Sequence, residues 1–84
     1  MTRLWPAGEN IAMQTAEDGS LIAFIWHGNR HQVTALSNQW QLDLDWWDQR
    51  IWRDYFKLAT DTCLLVIVYH DLLTDTWLLQ RLYD

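Results

Sequence analysis

The run Leu64-Leu65-Val66-Ile67-Val68-Tyr69 constrains the fold more than any other stretch of this chain. It is short, apolar throughout and rich in β-branched residues, which describes a strand in the middle of a sheet, covered on both sides. Asp61-Thr62 precedes it as a turn and Leu72 to Thr76 follows as another. Flanking strands are expected at Trp52 to Ala59 and Trp77 to Tyr83, so the C-terminal third reads as a three-stranded meander.

The rest of the chain repeats this grammar. Asn10 to Ala16 is a weak strand, Glu17-Asp18-Gly19-Ser20 a turn, and Leu21 to His27 a strongly apolar strand. Gly28-Asn29 supplies two residues that tolerate positive φ, as a tight hairpin requires, and His31 to Leu36 should return antiparallel. Then Trp40, Leu42 and Leu44 alternate with Gln39, Gln41, Asp43 and Asp45, the pattern of a half-buried strand with its polar side in water. Residues 45–51 break the alternation and suggest a loop or short helical turn, with Asp45 as its N-cap. The expected fold is all-β: a small, strongly bent antiparallel sheet or SH3-like barrel of about five to six strands. Residues 1–9 read as a loosely ordered lead and residues 10–84 as one domain.

At 84 residues a chain buries only about 60% of its unfolded surface, so every large apolar side chain counts. Seven Trp in a composition that is 50% hydrophobic answer that constraint, and packing accounts for most of them. The net charge of −5 has the wrong sign for neutralising phosphates, so direct nucleic-acid binding is disfavoured. One cysteine, Cys63, excludes an internal disulfide and a thiolate zinc site and fits a reducing cytoplasm. The longest apolar run falls well short of the ~18 residues of a membrane span, and the N-terminus has no apolar signal core.

One part of the sequence resembles a known family. The Trp46-Trp47 pair, then Arg53-Asp54-Tyr55-Phe56-Lys57, then Tyr69-His70-Asp71 and the final Trp77-Leu78-Leu79-Gln80-Arg81-Leu82-Tyr83-Asp84 resemble the C-terminal tail of ImuB. ImuB is the catalytically inactive relative of Y-family DNA polymerases, and a family of short stand-alone bacterial proteins shares its tail. The resemblance covers residues 46–84. His70 stands where the pattern has Arg, and Asp75-Thr76 replace its Gly-containing turn, where Asp75 is expected to take a left-handed conformation. The resemblance implies an accessory role near translesion DNA synthesis and damage-induced mutagenesis, as part of an assembly hub. No polymerase, clamp-binding or nuclease motif of that hub lies in this chain.

The residues themselves nominate a binding surface. Of the adjacent indoles Trp46 and Trp47, one is expected in the core and the other on the surface as a partner anchor. Arg53, Tyr55 and Lys57 share one strand face, and Asp71 and Arg81 lie on the two strands that follow. Charge ladders across neighbouring strands explain them structurally, at ~0.2–1 kcal/mol each. The functional alternative is a polar face that grips a carboxylate or a phosphate backbone through Arg53 and Arg81. Asp54, on the apolar face of its strand, needs a partner such as Arg50 or a turn N–H. His27 and His31 flank a turn without a third metal ligand and are expected at the surface. Cys63 lacks an activating group, and no nucleophile elbow or phosphate loop is present.

The expected function is therefore a non-enzymatic, cytoplasmic protein-interaction module without cofactor or metal. Its partner by resemblance is a component of the translesion polymerase machinery. The rival expectation is an aromatic platform for single-stranded nucleic acid, a nucleobase or a sugar. A weak homodimer through an exposed strand edge is a third.

Overall fold

Turn residues every few positions, with apolar β-branched segments between them, leave the chain little choice but strands. The computed structural model describes residues 2–46 and 49–83. Its strands are β1 (Thr2–Thr15), β2 (Leu21–Trp26), β3 (Asn29–Trp46), β4 (Gln49–Thr60), β5 (Leu65–Asp71) and β6 (Thr76–Tyr83). Each pairs antiparallel with the next, and β1 closes on β6 to complete an SH3-like barrel. The expected all-β class and C-terminal meander, β4-β5-β6, are both present. No helix among the described residues is long and apolar enough to cross a membrane.

The buried core of the barrel comes from four of its strands. Phe24 comes from β2, Phe56 and Leu58 from β4, Val66 and Val68 from β5, and Leu79 and Leu82 from β6. Val66 faces Leu58 on one side and Leu82 on the other, and Val68 faces Phe56 and Leu79 in the same way. The apolar run read first in the sequence is thus the central strand of the meander.

Several boundaries differ from the sequence reading. β1 begins at Thr2 rather than Asn10: Thr2, Arg3 and Leu4 pair with Tyr83, Leu82 and Arg81, and pairing resumes at Glu9 after an irregular stretch. Within that stretch Gly8 has φ +77°, and a Cβ there would sit 2.9 Å from the Leu78 side chain, so the position demands glycine. The hairpin turn falls one residue early. His27 (φ 50°) and Gly28 (φ 78°) are its central residues, and Trp26 pairs with Asn29. His27 tolerates this conformation because its ring stacks on Trp26 at 4.4 Å and its Nε2 lies 2.6 Å from Glu9 Oε1.

The largest difference is β3. The two strands expected at His31 to Leu36 and from Gln39 onward are one strand of 18 residues. It pairs with β2 as far as Gln32 and with β4 from Val33 onward. Register shifts at Val33/Ala35 and Leu36/Asn38 bend it, leaving Thr34 and Ser37 as the extra residues. Their hydroxyls donate to the carbonyls of Ala59 and Lys57, so the bulges keep hydrogen bonds to β4. The loop or helical turn expected at 45–51 is absent where it is described: Asp45 pairs with Arg50 and Trp46 with Gln49, so Asp45 is a strand residue and caps nothing.

Glu9 ties β1 to the end of β2 and the turn after it. Its carboxylate accepts from Trp26 Nε1 at 3.2 Å as well as meeting His27, and these hydrogen bonds, His27 first, hold its pKa below the ordinary 4.5. A carboxylate with a lowered folded pKa stabilises above the unfolded value, and that contribution disappears as pH falls through the folded value. The melting temperature should therefore drop as pH is lowered below 4.5, with a shallower drop in Glu9→Gln; an equally steep acid profile in that variant would disprove the assignment. Leu58, fully buried at the barrel centre, should cost about 2–5 kcal/mol when changed to Ala, measured by urea unfolding.

Candidate interaction surface

Strand pairing decides which side chains share a face. Across β3, β4 and β5 the rows Trp40–Tyr55–Tyr69 and Leu42–Arg53–Asp71 lie on the side away from Phe56 and Val68, on the convex face of the barrel. Trp40 and Tyr55 stack with centroids 5.4 Å apart and planes 5° apart, and Tyr55 leans on Tyr69 at 5.2 Å. The Arg53 guanidinium lies 4.6 Å above the Tyr69 ring and donates to the Tyr55 hydroxyl at 3.3 Å. Such ring and cation contacts contribute ~0.5–1.5 kcal/mol each and hold the face rigid.

The electrostatics follow from this packing. Burial works against the charge on Arg53, but the Tyr55 hydrogen bond and the charges of Tyr69, Tyr55 and Asp71 more than offset it, so its pKa is raised. Burial also pushes the Tyr69 phenol above its ordinary 10.0, with Arg53 acting in the opposite sense.

The structure brings together some of the residues nominated from sequence and separates others. Arg53 and Asp71 are cross-strand partners, as a ladder requires, although Asp71 Oδ1 accepts from the Leu73 N–H in the following turn. Tyr55 faces outward as expected but is only 6% exposed, covered by its aromatic neighbours, so it supports the surface without forming it. Arg81 stands apart, in the row of Lys57 and Ile67, where Arg81 and Lys57 lie over the Tyr83 ring. The Trp46 backbone ends β3, and Trp47 lies outside the described residues.

Sequence reasoning placed Trp40, Leu42 and Leu44 against the core, and the structure reverses this. Trp40 is 38% and Leu44 48% exposed, because the barrel interior is already filled from the opposite face of β4. The missed signal was Tyr55: a residue read as outward on β4 implies an outward cross-strand partner, and that partner is Trp40.

Gln39, Gln41 and Asp43 instead share the concave side with Phe56, Asp54 and Trp52. There a groove of about 620 Å³ opens between the β1–β2 turn and the sheet. Oδ1 of Asp54 accepts from Gln41 Nε2 at 2.9 Å, in place of the expected Arg50 or turn N–H. His70 stacks on Trp77 at 4.4 Å with planes 1° apart, and its Nε2 lies 2.7 Å from Oδ1 of Asp75, whose φ of 53° is the left-handed conformation anticipated for the turn. His31 is not at the surface: it is 7% exposed, packs on Phe24 and bonds Thr62 through Nδ1. Among the described residues no three His, Cys, Asp or Glu side chains converge as metal ligands.

Comparison of the chain with protein-family models, with curated proteins and with solved structures finds no match. Its own geometry defines its class: a small closed antiparallel barrel with an exposed aromatic and aliphatic face on one long hairpin.

Arg53→Ala should lower stability by about 1 kcal/mol in urea unfolding, through loss of its contact with the Tyr69 ring. Ultraviolet titration should show a phenol ionising above 10.0 that disappears in Tyr69→Phe and moves higher still in Arg53→Ala. A titration unchanged by both substitutions would refute the arrangement.

Proposed function

We propose that this chain is a non-catalytic protein-interaction module that meets its partner through the convex face of the β3–β4 hairpin. The observation that carries this reading is the exposure of Trp40 and Leu44 on a face stiffened by the Trp40–Tyr55–Tyr69 stack and Arg53. Exposed apolar side chains held in one geometry lose little entropy on binding, and Trp with Arg is the pairing that dominates binding hot spots. The net charge of −5 favours a protein partner over nucleic acid. The resemblance of residues 46–84 to the ImuB tail supports an accessory role in the cytoplasm beside the translesion polymerase machinery.

A photo-crosslinking amino acid at Leu44 tests the reading in the source cell. Crosslinks to a translesion-synthesis component are expected after DNA damage, and they should be lost in a Trp40→Ser background that keeps its circular dichroism. Absence of any protein crosslink, or quenching of tryptophan emission by single-stranded DNA or short glycans at micromolar concentration, would overturn it.

A further inference from the structure

The barrel has a gap where β3 changes partners. β2 and β3 are paired only from Ala23↔Gln32 to Trp26↔Asn29. From Val33 onward β3 pairs with β4 on one side, and its other edge has no strand beside it among the described residues. The Gln39 N–H donates to the Asn38 side chain at 2.9 Å, as an edge amide does when no neighbouring strand receives it. Strand geometry repeats that orientation at every second residue, so the amides of Gln41 and Asp43 face the same way.

Two grooves run along this edge. One of about 360 Å³ and the 620 Å³ groove described above share Ser20, Leu21 and Leu36 and so lie side by side, the two halves of a trough. The smaller has an apolar floor of Leu21, Val33, Leu36 and Leu58, with Leu36 51% exposed. The larger carries Asp18, Asp54 and Asp75, and among the described residues neither trough half is lined by Lys or Arg. Each of these carboxylates uses only Oδ1 in its described hydrogen bonds, to Ser20, Gln41 and His70 respectively. The acidic half thus offers three unpaired carboxylate oxygens beside Trp77 and Phe56, too dispersed to chelate a metal ion.

We infer that this trough receives an extended peptide segment as an added strand on the free edge of β3, with apolar side chains over Leu21, Val33 and Leu36 and arginine or lysine side chains among Asp18, Asp54 and Asp75. A polyamine would satisfy the carboxylates but neither the apolar floor nor the edge amides, whereas an extended peptide answers all three. From Val33 to Asp43 the edge faces no strand among the described residues, and about six to eight residues at ~3.3 Å each run from the apolar floor at Leu36 to the amides of Gln39, Gln41 and Asp43. Charge complementarity selects a basic segment, and charge-assisted hydrogen bonds to carboxylates supply its specificity. The inference rests on the interaction-module reading and specifies the partner's chemistry, but on the concave side, so the two surfaces can fail separately.

The test is fluorescence anisotropy with a labelled peptide of about eight residues, two arginines at one end and leucines at alternate positions towards the other. Micromolar binding is expected. It should weaken at least tenfold when the arginines are replaced by glutamates, when the peptide backbone is N-methylated at alternate residues, and in Asp54→Asn/Asp75→Asn protein that keeps its melting curve. Full binding by the N-methylated or glutamate peptide, equal displacement by spermidine alone, or no binding at millimolar protein would each overturn the inference. So would concentration-dependent dimerisation in sedimentation that the unmodified peptide cannot reverse, since a second copy would then occupy the edge in the peptide's place. Crosslinking at Leu44 reads the convex face and anisotropy reads the trough, so loss of one does not imply loss of the other.

Discussion

The architecture depends on β3 exchanging β2 for β4 between Gln32 and Val33. A strand of 18 residues can join two neighbours in succession only if it bends, and bending an antiparallel strand means surplus residues on one side of the ladder. Thr34 and Ser37 are those residues, and both have a hydroxyl that restores a hydrogen bond to the partner carbonyl. Without the bend the barrel would be a flat sheet with two open edges. With it, β1 reaches β6, and the gap left behind becomes the trough.

The same handover decides what the two faces of the hairpin do. Once β2 has departed, β4 is the strand that β3 pairs with, and its register sets which way the β3 side chains face. Phe56 and Leu58 occupy the interior, so the residues opposite them on β3, Gln39 and Leu36, look into the trough. Trp40, Leu42 and Leu44 then turn outward with Tyr55 and Arg53. Three groups of aromatics follow this division. Phe24 and Phe56 fill the core, Trp40, Tyr55 and Tyr69 brace the convex face, and Trp77 with His70 forms a wall of the trough.

Turn chemistry was legible wherever a single residue type carried it. Asp18 receives both the amide and the hydroxyl of Ser20, and Asp75 takes its left-handed conformation in the turn that lacks a glycine. Where a turn required two left-handed residues, sequence reasoning chose Gly28 and Asn29, and the chain uses His27 and Gly28. The difference arises from Glu9, 18 positions away, whose carboxylate holds the His27 ring. Local propensity does not contain that contact.

Periodicity and turn residues by themselves determined that this is an all-β chain of antiparallel strands, with the run Leu64 to Tyr69 in the centre of its C-terminal meander. They also determined which side chains share a face, because a strand alternates regardless of its surroundings. Only the tertiary structure decided which face is inside. Alternation is symmetric about the strand, and the choice falls to whichever neighbouring residues have already filled the barrel. For β3 that choice belonged to Phe56 and Leu58 on β4, and it turned the apolar side outward and the polar side towards the trough.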